Sequence, residues 1–180
     1  EGHSPNEVLS MYIRHIWVQS LELSKLMLDY VSYSGDETFL KEKALPAIKE
    51  FLLYFDSRFR NEQGQIRVTP TQAVETYWYE VENDMPSVAG LHYVLNALEK
   101  LPSHLLSDAD RSYYQQLKKG LPGLPKKGIA QGEVFLPAEV FLEKRTNVEN
   151  PELYAVFPFG LANFSNDLHE TGVRTFRNRN

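Results

Sequence analysis

The sequence of 180 residues contains no cysteine. This absence excludes a disulfide scaffold, catalysis by a thiol and thiolate-bound metal sites. Positive charge is scarce as well, because 19 lysines and arginines stand against 24 acids and give a net charge of −5. That balance argues against nucleic acid as a partner. No stretch free of charge reaches the roughly 18 residues that a membrane span requires, so we expect no membrane partner.

Hydrophobic residues make up 42% of the chain, including 10 Phe and 10 Tyr. This content supports one sizeable core in a single domain and excludes intrinsic disorder. The sequence has no glycine-rich nucleotide-binding motif and no nucleophile elbow. The five histidines are scattered, and no two of them have the spacing of metal ligands on a helix. We therefore expect neither a metal nor a cofactor. The histidines are His3, His15, His92, His104 and His169.

Helical spacing of apolar residues predicts five helices. Pro46 removes a backbone donor inside the second helix, so we expect a kink at residues 42–45. Ser107 and Asp110 form a capping box for the fourth helix, which we expect to end at Gly120. Residues 65–68 and 129–142 are predicted to be extended, and residues 69–83 irregular. This order predicts αα-hairpins with functional loops between them. The helices are expected at about residues 6–31, 36–55, 86–100, 107–120 and 167–177.

The first loop with a functional composition covers residues 69–84. Glu75 is followed closely by the rings of Tyr77 and Trp78. Aromatic rings can stack on a pyranose, and an apolar environment raises the pKa of a carboxyl until it can act as a general acid. Alternatively, Trp78 and one tyrosine belong to the core and the acids are solvated. Asp84 is a candidate for sugar binding and, alternatively, for the N-cap of the third helix.

A second aromatic-rich loop covers residues 147–159. Two prolines interrupt it, and it carries Asn150, Glu152 and Tyr154 near its start. Acids and rings together are again the combination that can hold a saccharide, although the loop read alone indicates a structural turn. The alternative is a buried turn followed by a short helix. We expect Glu75 and residues 150–154 to face the same cavity, because alternate connections of stacked hairpins gather at one end of such a fold.

Several blocks of the sequence resemble the six-hairpin glycosidase-like proteins related to the α-L-fucosidase family of glycoside hydrolases (family 95). The resemblance covers most of the chain, although Val74 and Thr76 stand where that family has proline and asparagine around its general acid. The blocks are Tyr12-Ile13-Arg14-His15-Ile16-Trp17, Leu28-Asp29-Tyr30, Ser34-Gly35-Asp36, Thr69-Pro70-Thr71-Gln72-Ala73-Val74-Glu75-Thr76-Tyr77-Trp78 and Asn150-Pro151-Glu152-Leu153-Tyr154-Ala155-Val156-Phe157-Pro158.

The resemblance implies a mainly all-α fold built from the hairpins of an (α/α)6 toroid, with short β segments in the connections. It also implies inverting hydrolysis of glycosidic bonds and a periplasmic or secreted location. Glu75 would be the general acid. The saccharide would be bound by Tyr77, Trp78, Asp84, Asn150, Glu152 and Tyr154.

A complete toroid of twelve helices needs roughly 216 residues by ordinary helix and loop lengths. We therefore expect residues 1–180 to form one partial toroid domain excised from a longer chain. The remainder of that chain would then be a partner and would supply the catalytic base. Two alternatives to an enzyme remain: a non-catalytic carbohydrate-binding module and a helical scaffold whose aromatic residues are all core.

Overall fold

A computed structural model of the chain describes residue 10 and residues 12–179. The fold is mixed α/β, with two small antiparallel sheets beside the helices. The expectation of a mainly all-α portion of an (α/α)6 toroid was therefore wrong. Loops that were expected to be irregular form paired strands instead, and this pairing changes the fold class.

The helices pack mainly against one another around a large apolar cluster. One long helix is continuous from α2 through a π-helical turn into α3, so the described residues contain five helices. Short 3-10 turns occupy Ser103–Leu105 and Pro151–Leu153. The helical segments are α1 (Gln19–Ser34), α2 (Glu37–Phe39), the π-helical turn (Leu40–Ala44), α3 (Leu45–Phe59), α4 (Met85–Glu99), α5 (Asp108–Lys119) and α6 (His169–Arg177).

Several helix ends follow from local sequence. The Ser107 hydroxyl accepts the Asp110 amide at the start of α5, which confirms the predicted cap. Gly35 ends α1 at a positive φ of 70°, as a left-handed C-cap. The irregularity expected before Pro46 is the π-helical turn, in which the Leu45 amide bonds to the Leu40 carbonyl.

The beginning of the first helix was predicted too early. Residues 12–15 form turns and α1 begins only at Gln19, whereas residues 6–9 and 11 lie outside the described residues. The apolar residues that suggested helix before Gln19 have other contacts. Tyr12 packs against the Trp78 ring, and the Trp17 indole donates a hydrogen bond to the Pro70 carbonyl.

The first sheet has three strands in the order β1 (Thr71–Ala73), β2 (Tyr77–Asp84), β5 (Ala138–Val140). Both pairings are antiparallel, and the β1–β2 register shifts through a bulge. Residues 69–83 were thus wrongly predicted to be irregular. A two-residue alternation was available in the sequence, because Tyr79 and Val81 alternate with Glu80 and Glu82.

The second sheet is a hairpin of β3 (Lys126–Ile129) and β4 (Gly132–Phe135). Strands β4 and β5 fall inside the region 129–142 that was expected to be extended. The region 65–68 contributes only an isolated bridge between Arg60 and Ile66.

The three-stranded sheet carries a small apolar cluster of its own, made of Ala73, Tyr77, Val81 and Ala138 with Phe141 packed against it. The large cluster joins α1, α3, α4 and α5. Within the described part of the chain, no helix is both long enough and apolar enough to cross a membrane.

Candidate functional site

The turn between β1 and β2 holds Glu75 in an unusual backbone setting. Val74, the residue before it, is buried and has a φ of 47°. A β-branched residue in the left-handed region is strained, because its side chain crowds the backbone. Strain of this kind persists only where surrounding contacts impose it, and it is often found at functional sites.

Contacts from residues 146–149 fix Glu75 at several atoms. Its amide donates to a carboxylate oxygen of Glu149 at 2.8 Å. Its carbonyl accepts from the Thr146 hydroxyl at 2.7 Å and from the Trp78 indole at 2.7 Å. Its carboxylate accepts from the Asn147 amide at 3.1 Å. The two loops with a functional composition are therefore in direct contact.

Tyr77 and Trp78 cannot both contact a ligand bound on one face of the sheet, because successive residues of a strand point to opposite faces. Tyr77 is buried and packs edge-on against Phe141, with ring centroids 5.2 Å apart. Trp78 turns the other way and packs edge-on against Tyr12 at 4.6 Å.

A cleft of about 420 Å³ lies between the sheet, the β3–β4 hairpin and the loop before Pro151. Tyr77 and Glu152 line it, and Phe141 adds a second ring. The structure therefore brings one residue from each predicted loop into one cavity. Glu75, Trp78, Asp84, Asn150 and Tyr154 are not among its lining residues. The charged residues of the cleft are Lys127, Glu143, Arg145, Glu152 and Arg179.

Glu152 is the most unusual of these charged residues. Only 8% of it is exposed, and its Oε2 atom has no hydrogen-bond partner within the described residues. Burial raises the pKa of its carboxyl, and the positive charges of Arg145 and Arg179 only partly oppose that effect. Burial also raises the pKa of Tyr77, against a lowering contribution from Arg145. The cleft thus holds a buried carboxyl whose pKa lies above its ordinary value.

Asp84 has a structural role. It is fully buried, caps α4 by accepting the Ser87 amide at 2.9 Å, and accepts the Thr71 hydroxyl at 2.6 Å. Burial raises the pKa of its carboxyl to about 6, although both hydrogen bonds favour the charged form. Of the two roles that the sequence offered for Asp84, these contacts are those of the N-cap of α4.

Asn150 and Tyr154 flank the short 3-10 turn that carries Glu152. The Asn150 carbonyl accepts the Leu153 amide, and its side-chain oxygen is buried without a hydrogen-bond partner among the described residues. The Tyr154 amide donates to the Pro151 carbonyl at 3.1 Å, and burial raises the pKa of the Tyr154 hydroxyl to about 12. These two residues anchor the turn, and Glu152 alone of the three reaches the cleft.

Sequence reasoning missed four residues that contribute to this region. Glu149 holds the Glu75 turn, and Arg145 donates to the Glu149 carbonyl at 2.9 Å. Phe141 and Arg179 line the cleft. Glu149 was noted in the sequence at the head of the second loop but was not chosen as a site residue. Arg145 belongs to the charged run of residues 143–145, which has no spacing of its own that indicates a site.

No family model matches the chain, and a search of curated proteins also found no match. Within the described residues, no group of three or more histidine, aspartate or glutamate side chains is arranged to hold a metal ion.

Proposed function

We propose that this chain belongs to a glycoside hydrolase-like protein, with the cleft as part of its saccharide site and Glu75 as its general acid. The observation that carries this proposal is the fixation of Glu75 by four hydrogen bonds beside the cleft. Glu75 lies two residues before Tyr77, whose ring lines the cleft.

The surroundings of Glu75 suit proton transfer to a leaving group. A general acid must present its carboxyl in one orientation to the glycosidic oxygen. The Asn147 amide supplies that orientation, and the bonds to Thr146 and Glu149 fix the backbone beneath it. The φ of Val74 costs stability, and backbone strain of this kind is often found at functional sites, which supports a functional role for this turn.

The cleft supplies the second requirement, which is recognition of a sugar. The rings of Tyr77 and Phe141 offer apolar faces, and the neighbouring carboxyl and guanidinium groups can bond to hydroxyls. An inverting reaction also needs a second carboxylate, about 6.5–9.5 Å from the acid, to activate water. We assign that role to none of the described carboxylates.

Aryl glycosides with leaving groups of different pKa test the role of Glu75. A general acid matters most when the leaving group is poor. Glu75→Gln should therefore lose at least about a hundredfold in kcat on methylumbelliferyl glycosides and far less on dinitrophenyl glycosides. Glu80→Gln, an exposed carboxylate of β2, is the matched control and should keep both rates. Equal losses on both substrates would contradict the assignment.

A non-catalytic saccharide-binding module is the second candidate. It is favoured by one observation: Tyr77, Phe141 and Glu152 line the cleft, but Glu75 does not. Retention on a glycan array without any hydrolysis product would support this alternative. A helical scaffold, in contrast, would neither retain nor cleave any glycan.

A further inference from the structure

The cleft differs in charge from the rest of the molecule. The whole sequence has a net charge of −5. The cleft, however, is lined by three cations and two acids, so positive charge is in excess there. These residues are Lys127, Arg145, Arg179, Glu143 and Glu152.

The three cations have no close acidic partner within the described residues, although the charges of Arg145 and Arg179 oppose the rise in the pKa of Glu152. Among residues 12–179, none of Lys127, Arg145 and Arg179 forms an ion pair with a carboxylate. They come from separate parts of the chain, namely β3, the loop after β5 and the residues that follow α6. Their positive charge is therefore available to a ligand in the cleft.

Arg145 is held in place for such a contact. Its Nη2 atom donates to the Glu149 carbonyl at 2.9 Å, and its guanidinium carbon lies 5.9 Å from the centroid of the Tyr77 ring. A planar guanidinium binds a carboxylate through two parallel N–H bonds, which gives both strength and orientation.

Even with Glu152 ionised, the three cations outnumber the two acids of the cleft. Glu152 is nine-tenths buried in the wall of the cleft, and its Oε2 atom has no hydrogen-bond partner in the described part of the chain. Burial raises the pKa of its carboxyl. A neutral carboxyl can donate a hydrogen bond to an anionic ligand, which an ionised one cannot do. Glu143 is the other acid of the cleft among the described residues.

We propose that the cleft selects saccharides that carry a carboxylate, as uronic acid residues do. Arg145, with Lys127 and Arg179, would bind the carboxylate, and the Tyr77 and Phe141 rings would contact the pyranose. This inference rests on the proposed function, since it names the sugar class of the same site.

The test is an NMR titration of the full chain with sodium glucuronate and galacturonate, against glucose and galactose. Uronates should bind about tenfold more tightly than the neutral sugars, as one added charge-assisted contact implies. Arg145→Gln should bring that ratio close to one. Lys127→Gln changes an exposed side chain and should reduce the ratio without affecting the fold. Arg58→Gln, an exposed arginine of α3 away from the cleft, is the control and should keep the ratio.

Three outcomes would overturn the inference in different ways. Equal binding of neutral sugars and uronates would end the carboxylate selectivity and leave the proposed function standing. Acetate and glucose 6-sulfate binding as tightly as the uronates would reveal a general anion site. Binding of no sugar at all would overturn the inference and the proposed saccharide site together.

Discussion

The Asn147 amide donates a hydrogen bond of 3.1 Å to the carboxylate of Glu75, which precedes it by 72 residues. This contact joins the strained turn of the β1–β2 hairpin to the loop that leads to the cleft. The coupling energy between Glu75 and Asn147 therefore measures how much this contact between the two loops contributes to stability.

A double-mutant cycle of Glu75→Ala and Asn147→Ala should give a coupling energy of about 0.5–1.5 kcal/mol in urea unfolding, because each single change already removes the hydrogen bond. Glu80→Ala combined with Asn147→Ala is the control, and its effects should add. Additive effects for the Glu75 and Asn147 pair as well would mean that the contact contributes nothing to stability.

The positive φ of Val74 predicts a reversal of the usual order of alanine and glycine. Glycine in place of alanine normally lowers stability by roughly 0.5–1 kcal/mol, but it adopts a φ of 47° without strain. Val74→Gly should therefore be at least as stable as Val74→Ala in thermal unfolding. Both variants lose the buried valine side chain, so both should be less stable than the parent chain.

Val81 provides the matched control for that comparison. It is also a buried valine of the same hairpin, and it is not among the residues with positive φ. Val81→Gly should be less stable than Val81→Ala. The same order at both positions would show that Val74 is not strained.

The buried carboxyl of Asp84 predicts a pH dependence of stability. Its pKa is raised from 3.8 to about 6, so its contribution is fully present below the unfolded value and is lost as pH rises through about 6. The shift corresponds to a fall of about 3 kcal/mol in the free energy of unfolding between pH 3.5 and pH 7. Asp84→Asn keeps an N-cap and should flatten this part of the pH profile.

Thr71→Val provides a change in the opposite direction. The Thr71 hydroxyl donates to Asp84 and thereby lowers the pKa of its carboxyl. Its removal should raise that pKa further and make the loss of stability toward pH 7 larger. Identical pH profiles for the parent, Asp84→Asn and Thr71→Val proteins would contradict the role of this carboxyl.

Gly90 sets how closely α1 approaches α4. A Cβ atom at this position would lie 2.8 Å from Leu21 of α1 and 2.8 Å from the Phe159 ring. Gly90→Ala should therefore lower stability by about 1–3 kcal/mol, although alanine normally favours a helix interior. At Gly123 a Cβ atom would meet nothing within 4 Å, so Gly123→Ala should be neutral or slightly stabilising. Equal thermal stabilities for the two variants would show that the α1–α4 contact tolerates a methyl group.

The sequence by itself determined most of the helices, because their signals are local. Apolar spacing placed α4 to within a residue, the Ser107 cap and Gly120 did the same for α5, and Pro46 marked the π-helical turn before α3. The sequence also singled out Glu75 and Glu152 as residues of interest, through acids set beside aromatic rings. These features depend on side chains only a few residues apart.

Tertiary structure alone decided the fold class and the composition of the cleft. Strand β2 forms because β1 and β5 supply its pairing partners from elsewhere in the chain: Val81 pairs with Thr71 of β1, and Glu82 pairs with Val140 of β5. The side of β2 on which Tyr77 and Trp78 lie follows from that pairing. Arg179 reaches the cleft because α6 is hydrogen-bonded to β4 through Thr175 and Arg174. Hydrogen bonds and charges between distant residues leave no spacing in the sequence, so only the folded chain brings them together.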